Sequence, residues 1–231
     1  VPESERTIDR GRSPSEMTAD AAKAREYLGN VAARLQAQGV KVSRAVVTGP
    51  AASSIIERCA ESESSLIAMA THGWTGIGHE NVGSVTEAVL DGATIPAIVF
   101  RPLADATTAS DATRISTLIV GLDGSPRAEG SLNFARMLAR QLDVQIIVGR
   151  SSGAALRFAT LDAIEKAEEE DHDYIAGIVG RLKGSVREIE GVVRSGTPAT
   201  DLAGLAGEQS GSLIVLTSQA RSGRARWLMG S

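Results

Sequence analysis

Apolar residues in the first half of the chain alternate between helical spacing and short runs. A spacing of four, three and four positions predicts a helix over about 15–38. It is carried by Ala24, Leu28, Val31 and Leu35. The stretches that follow predict, in order, a strand at 40–49, a helix at 51–61, a buried strand at 65–70, a helix at 84–92 and a strand at 96–102.

The second half opens on a continuous apolar run at 116–122, which is typical of a strand buried in a parallel sheet. A helix from about Pro126 is indicated by Leu132, Ala135, Leu138 and Leu142. The pattern then predicts a strand at 144–149, a long helix over 161–184, a strand at 187–196, a helix after Pro198 and a strand at 212–217. The apolar positions of the long helix are Leu161, Ile164, Ile175, Ile178 and Leu182. Strands alternating with helices imply a parallel sheet covered on both faces.

The chain repeats itself at an offset of 147 residues. Residues 27–84 align with 174–231 without a gap, from Tyr27 on Tyr174 to the pair Gly-Ser at both ends. A unit this long is a domain rather than a solenoid repeat. We therefore predict two copies of one domain, at 1–102 and 115–231, with a linker of small residues at 103–114.

The two copies are unequally complete. The second begins with "RISTLIVGLDGS", whose counterpart would precede Val1, and the first continues through "VTEAVLDGATIPAIVFRP", whose counterpart would follow Ser231. Joined across the repeat, one whole unit is β-α-β-α-β-α-β-α-β, a parallel sheet of five strands. We expect a chain cut at both ends, whose first domain lacks its opening strand-helix-strand and whose second lacks its last helix and strand. Strand exchange between the halves is an open hypothesis.

Composition narrows the class of protein. With 42% hydrophobic and 23% charged residues, a packed core is expected, and a net charge of −4 argues against a nucleic-acid partner. The apolar runs are too short to cross a membrane. The single cysteine, Cys59, cannot form an internal disulfide, which suits a reducing cytoplasm, and we interpret it as a core residue.

The stretch "ATHGWTGIGHENVGS" at 70–84 leaves a buried strand and enters a helix. Unpaired N–H groups at a helix N-terminus bind phosphate, Gly83 allows close approach of the backbone, and Ser84 offers a hydroxyl. The Walker A lysine is absent and the glycines do not follow the dinucleotide pattern, so a plain turn is the alternative. In "VGLDGS", Asp123 lies at another strand end, where its carboxylate could accept hydrogen bonds from a ribose or an adenine amino group.

Other chemistry finds little support in the sequence. His79 and His172 have no metal-ligand spacing, and no nucleophile–base–orienter set is visible, so we predict neither a metal ligand nor a catalytic residue. The acidic run "EEEDHD" at 168–173 is interpreted as a solvated helix face.

These motifs together resemble a tandem universal stress protein. The family's ATP signature is Gly, two residues, Gly, nine residues, then Gly-Ser or Gly-Thr, and 70–84 departs from it only at Ala70. "IVGLDGSPRAEGSLNFARMLA" resembles the family's opening strand and helix, "SGTPATDLAGLA" its Gly-x-Pro segment and "IPAIVFRP" its last strand.

The resemblance implies a Rossmann-like α/β fold, a cytoplasmic role in stress tolerance and, in some members, binding of ATP or another adenine nucleotide. It implies phosphate contacts from Ala70, Gly73, Gly83, Ser84, Val85 and Thr86. It implies adenosine contacts from Gly121, Leu122 and Asp123. Mg²⁺ would accompany ATP, and the expected assembly is a homodimer or a pairing of the tandem copies within the chain.

The second copy has a weaker signature. It reads Thr217, Ala220, then Gly230 and Ser231, so both early glycines are replaced. Nearby arginines either contact an anion or form a solvated face. Two functions stay open: a regulatory module that binds an adenine nucleotide without being an enzyme, and a nucleotide-free scaffold for dimerisation or interaction. A weak ATPase is a further alternative, although no residue identifies a base for the attacking water.

Overall fold

The computed structural model describes residues 14–62, 66–71, 83–100, 114–152 and 160–217, with the side chains of 14–17 excepted. These residues form two compact units. The first contains α1 (Pro14–Ala37), α2 (Ala51–Glu61), β1 (Ile67–Ala70), α3 (Ser84–Gly92) and β2 (Ala97–Phe100). The second contains β3 (Thr117–Gly121), α4 (Pro126–Leu142), β4 (Gln145–Ser151), α5 (Leu161–Leu182), β5 (Ile189–Arg194), α6 (Pro198–Glu208) and β6 (Ser212–Val215).

The second unit is built on a parallel sheet in the order β5-β4-β3-β6. The chain first runs outward from β3 through β4 to β5, and then crosses to the other side of β3 to add β6. The prediction of the first four strands of a Rossmann-like sheet is therefore confirmed. The reversal makes a switch point beside β3, where ligands of open α/β sheets bind at the carboxyl ends of the strands.

Helices cover both faces of this sheet, as predicted. Every residue of β3 is buried, because alternate side chains point to opposite faces and both faces are packed. On one face Leu118 and Val120 pack with α4 and α5, where Ile178 is fully buried. On the other face Ile119 and Ile147 pack against Leu205 of α6.

A glycine in β5 brings the long helix close to the sheet. A Cβ at Gly191 would overlap Cγ2 of Ile175 and would lie 3.1 Å from Cγ2 of Val179, both on α5. The predicted apolar stripe of α5 holds at Ile175 and Ile178, which are buried, but Leu161 is 78% exposed at its first turn.

The first unit carries a two-stranded parallel sheet, in which Ile67 pairs with Ala97 and Ala70 with Phe100. The predicted helices and these two strands match the structure, whereas the strand predicted at 40–49 is wrong, because these residues lie outside any strand. Among the described strands, its counterpart β5 is hydrogen bonded to β4 alone. The described part of the first unit has no counterpart of β4, so alternation at 40–49 meets no ladder of hydrogen bonds.

Cys59 lies on α2 and is half-buried. None of the eleven residues of α2 is fully buried. The interpretation of Cys59 as a core residue is therefore only partly met.

Candidate functional site

A cavity of about 150 Å³ lies at the carboxyl ends of β3, β4 and β6 in the second unit. Its lining includes the predicted adenosine residues Gly121, Leu122 and Asp123. Leucines of α6 and of the segment after β6 provide an apolar wall, and the polar lining comes from Asp123, Arg150, Ser151, Asp201 and Thr217. An apolar cavity with a few convergent polar groups is the usual form of a small-molecule site.

Two glycines form the base of the cavity. Gly121 of β3 and Gly149 of β4 are paired in the sheet. A Cβ at Gly121 would lie 2.8 Å from Leu202 Cδ1 and 2.6 Å from Leu216 Cδ2, and one at Gly149 would lie 3.1 Å from Leu205 Cδ1. The leucines therefore lie directly on bare backbone, and a side chain at either glycine would displace the apolar wall.

Asp123 is held by the turn that begins α4. Its Oδ1 accepts a hydrogen bond of 2.9 Å from the N–H of Ser125, and Ser125 Oγ caps α4 by accepting from the N–H of Ala128 at 3.1 Å. Hydrogen bonds from the Ser125 hydroxyl and N–H lower the pKa of Asp123, and Arg150 adds a smaller contribution. The result is an exposed, ionised carboxylate at the rim of the cavity.

A second carboxylate, Asp201, stands on the first turns of α6. Its Oδ2 accepts hydrogen bonds from the Ser151 hydroxyl at 2.6 Å and from the N–H of Gly196 at 3.0 Å. Sequence reasoning missed the side chains of Asp201 and Ser151. The Gly-x-Pro segment was the sequence signal that could have located Asp201. Its glycine, Gly196, leaves room for the Asp201 carboxylate, which a side chain at that position would overlap.

Arg150, at the end of β4, was also missed. Its guanidinium forms an ion pair with Asp171 of α5 and stacks over the Tyr174 ring, 5.0 Å from the ring centroid. Asp171 belongs to the acidic run that was predicted to be a solvated face, and for this residue the prediction is wrong. Asp171 is buried because it lies four positions before Ile175, on the same stripe of α5 that faces the sheet.

The Tyr174 hydroxyl donates a hydrogen bond of 3.1 Å to Glu129 on the first turn of α4. Glu129 also pairs with Arg181 at 2.7 Å. Burial, followed by the hydrogen bond to Glu129, raises the pKa of Tyr174 from 10.0 to about 12. The neutral phenol is therefore the form that the folded unit stabilises.

We predict that this tyrosine titrates near pH 12. The contribution of Tyr174 to stability is complete below its unfolded pKa of 10.0 and is lost as the pH rises toward about 12. Tyr27→Phe leaves one tyrosine in the chain, so tyrosinate absorbance follows Tyr174 alone. Adding Glu129→Gln should lower the midpoint. A titration midpoint at pH 10 in the Tyr27→Phe chain would contradict the burial of the Tyr174 hydroxyl.

Those predicted phosphate residues that the structure describes lie in the first unit, at the junction of β1 and α3. Thr86 is buried, and its hydroxyl donates to the Ala70 carbonyl at 3.1 Å, while the N–H of Gly83 donates to the Thr71 carbonyl at 2.9 Å. These bonds fix the end of the strand to the start of the helix. The Thr86 hydroxyl thus has a structural partner rather than facing outward.

The other residues predicted there have different placements. Ser84 and Val85 are exposed on the first turn of α3, whose N-cap is Gly83, and no side chain of the described residues caps this helix. Gly73, Gly230 and Ser231 lie outside the described residues. The two halves of the predicted site belong to separate units: Ala70 and 83–86 to the first, 121–123 to the second.

Two further features are absent from the described part of the chain. There, no group of three or more His, Cys, Asp and Glu side chains comes together as a metal ion would need. Within the same ranges no helix is both long and apolar enough to cross a membrane.

Both halves of the chain match the model of one known protein family. The model of the universal stress protein family matches residues 1–101 and matches again at 115–231. The chain belongs to the universal stress protein family. The two matches confirm the tandem repeat that was predicted from the offset of 147 residues.

The chain is similar to solved universal stress proteins, and its TM-score with the first of them shows a shared fold. One from Archaeoglobus fulgidus DSM 4304 is 21% identical, with a TM-score of 0.60 over 90% of this chain and 76% of that one. UspA from Lactobacillus plantarum is 19% identical, with a TM-score of 0.41 over 52% and 88% of the two chains. A universal stress protein in complex with cAMP is 20% identical, with a TM-score of 0.40 over 50% and 86%. No curated protein matches the chain.

Proposed function

We propose that this universal stress protein is a cytoplasmic stress-response regulator that binds an adenine nucleotide, ATP, and acts by binding rather than by catalysis. The observation that carries the proposal is the cavity at the switch point of the second sheet, with Gly121, Leu122 and an ionised Asp123 in its lining. Ligands of this class of sheet bind at that place.

The chemistry of the cavity suits an adenosine group. Leu202 and Leu216, which lie on the bare backbone of Gly121, offer an apolar wall against which a base can pack. Asp123 can accept hydrogen bonds from ribose hydroxyls or from the adenine amino group. A volume of about 150 Å³ suits a base-sized group, so the phosphates would extend beyond the cavity.

The phosphate contacts are proposed for helix N-termini of the type seen at α3. There Gly83 is the N-cap, and the N–H groups of Ser84 and Val85 begin a helix that no described side chain caps; such N–H groups with the helix dipole favour phosphate. Mg²⁺ would accompany ATP and offset part of the charge of its phosphates. In the second copy the corresponding signature has Thr217 and Ala220, so we expect it to hold phosphates less well.

Calorimetric titration with ATP, with GTP as the competing purine, tests the proposal. We expect Asp123→Asn to weaken ATP binding about tenfold, since hydrogen bonds to a charged group are the stronger class. The matched control is Asp143→Asn, an exposed aspartate that ends α4 in left-handed conformation and lies at the amino ends of the strands, away from the cavity. Gly83→Val tests the phosphate side separately.

A parent chain that binds no ATP would overturn the proposal and favour the alternative, a nucleotide-free scaffold that pairs with a second copy or with its own tandem copy. That alternative is favoured by Phe100, which is 53% exposed at the end of β2. The scaffold alternative is tested by measuring molecular mass against protein concentration. The mass should rise with concentration in the parent, and Phe100→Ser should weaken that rise.

A further inference from the structure

We propose that α5 supports the binding site of the second unit, with Arg150 and Tyr174 as positioning residues. The segment they hold, residues 122–125, is called here the Asp123 loop. This inference rests on the proposed function for its ligand, but the support of the loop is a property of the unliganded protein.

Arg150 lies directly against the Asp123 loop. Gly124 has a φ of +86°, and a Cβ there would lie 2.6 Å from Arg150 Nη1. The guanidinium thus packs on the backbone at the residue that follows Asp123. Its positive charge also favours the ionised form of that carboxylate.

Arg150 is itself fixed by α5. The side chains of Arg150 and Asp171 are only 22% and 8% exposed, so their ion pair is screened little by solvent. The Tyr174 ring lies under the same guanidinium and favours its positive charge. An arginine held at two points has few alternative rotamers, so it can act as a rigid support for the loop.

Tyr174 also holds the other side of the loop. Its hydroxyl reaches Glu129 on the first turn of α4, the helix that begins directly after the Asp123 loop. Arg181 of α5 binds the second oxygen of Glu129. One face of α5 therefore contacts both β4, whose Arg150 lies against the loop, and α4, which begins directly after the loop.

The internal repeat does not preserve this arrangement. At the offset of 147 residues, Asp171 corresponds to Ala24 and Tyr174 to Tyr27, which is 62% exposed on α1. Helix α1 forms without the buried carboxylate. The copy that contains Asp123 is also the copy that contains the buried carboxylate of Asp171.

The first arm of the test measures the rigidity of the Asp123 loop in the protein without ligand. In Asp171→Asn we expect the NMR order parameters of the Gly124 and Ser125 amides to fall from about 0.85 to below about 0.6. Glu170→Gln is the matched control, because this neighbour in the same acidic run is exposed and pairs with Lys166 of the same helix at 3.8 Å. It should leave both values unchanged.

A second variant guards against loss of folding. Tyr174→Leu removes the ring under Arg150 and the bond to Glu129 but leaves Asp171 in place. The order parameter reports on the folded population, so a loss of stability alone does not lower it. If both variants fold and the loop stays as rigid as in the parent, the inference is overturned.

The second arm measures ATP affinity by calorimetry. We expect Asp171→Asn to weaken binding about tenfold, a coupling typical of residues in one contact network, with Glu170→Gln unchanged. A loosened loop with unchanged affinity would overturn the positioning role. If the parent binds no ATP but the loop loosens in the variants, the proposed function fails while the support of the loop by α5 stands.

Discussion

Asp171→Ala is expected to lower the free energy of unfolding of the second unit by about 3 kcal/mol, because removal of one partner leaves a largely buried charge uncompensated. The stranded charge is that of Arg150, whose side chain is only 22% exposed. Native-state amide exchange at Ile146 and Val148, both buried in β4, measures this unit by itself within the full chain.

Two comparisons make the result specific. Glu170→Ala removes an exposed partner on the same helix and should cost less than about 0.5 kcal/mol. The double variant Arg150→Met, Asp171→Leu replaces both charges with apolar groups and should recover most of the stability, because neither charge is then left unpaired. A double variant less stable than Asp171→Ala would show that the pair itself, rather than its desolvated remainder, sets the energy.

Gly191→Ala is expected to destabilise the same unit by about 2 kcal/mol through overpacking. The added methyl group would overlap Ile175 Cγ2 and crowd Val179, and Ile175 is buried between α5 and the sheet, so it has little room to move. Amide exchange in β4 measures the loss.

Gly177→Ala is the control of opposite sign. Gly177 is exposed in the middle of α5, and a Cβ there would meet nothing within 4 Å. Alanine should therefore stabilise the unit by about 0.5–1 kcal/mol through helix propensity. Equal effects of the two substitutions would contradict the close packing of α5 on β5.

Much of the fold could be predicted because its information is local. The apolar run of β3 and the stripe at Ile175 and Ile178 are visible within a few residues of sequence. The segment 40–49 shows the limit of this reasoning. Alternation there tells which side chains could share a face, but a strand exists only when a neighbouring strand completes its hydrogen bonds.

The candidate site, like the fold, could be predicted only in part from the sequence. Asp123 could be predicted because the carboxyl end of a buried strand is a recognisable place. Arg150 could not, because its partner Asp171 lies 21 residues further on. Asp201 could not either, since its partner Ser151 is 50 residues away. Only the position of Asp171 on the apolar stripe of α5 could have signalled burial within a charged run.

The central place of β3 has a consequence for the order of folding. The Gln145 side chain bonds Thr117 from 28 residues away, whereas the Ser116 hydroxyl reaches the Ser210 carbonyl across 94 residues, beside β6. Closing the longer loop costs more entropy, so β6 is expected to join the sheet after β4. Leu216 and Thr217 follow β6, so the cavity is completed only in this last step. A ligand that binds there would therefore trap the finished sheet and slow its opening from that edge.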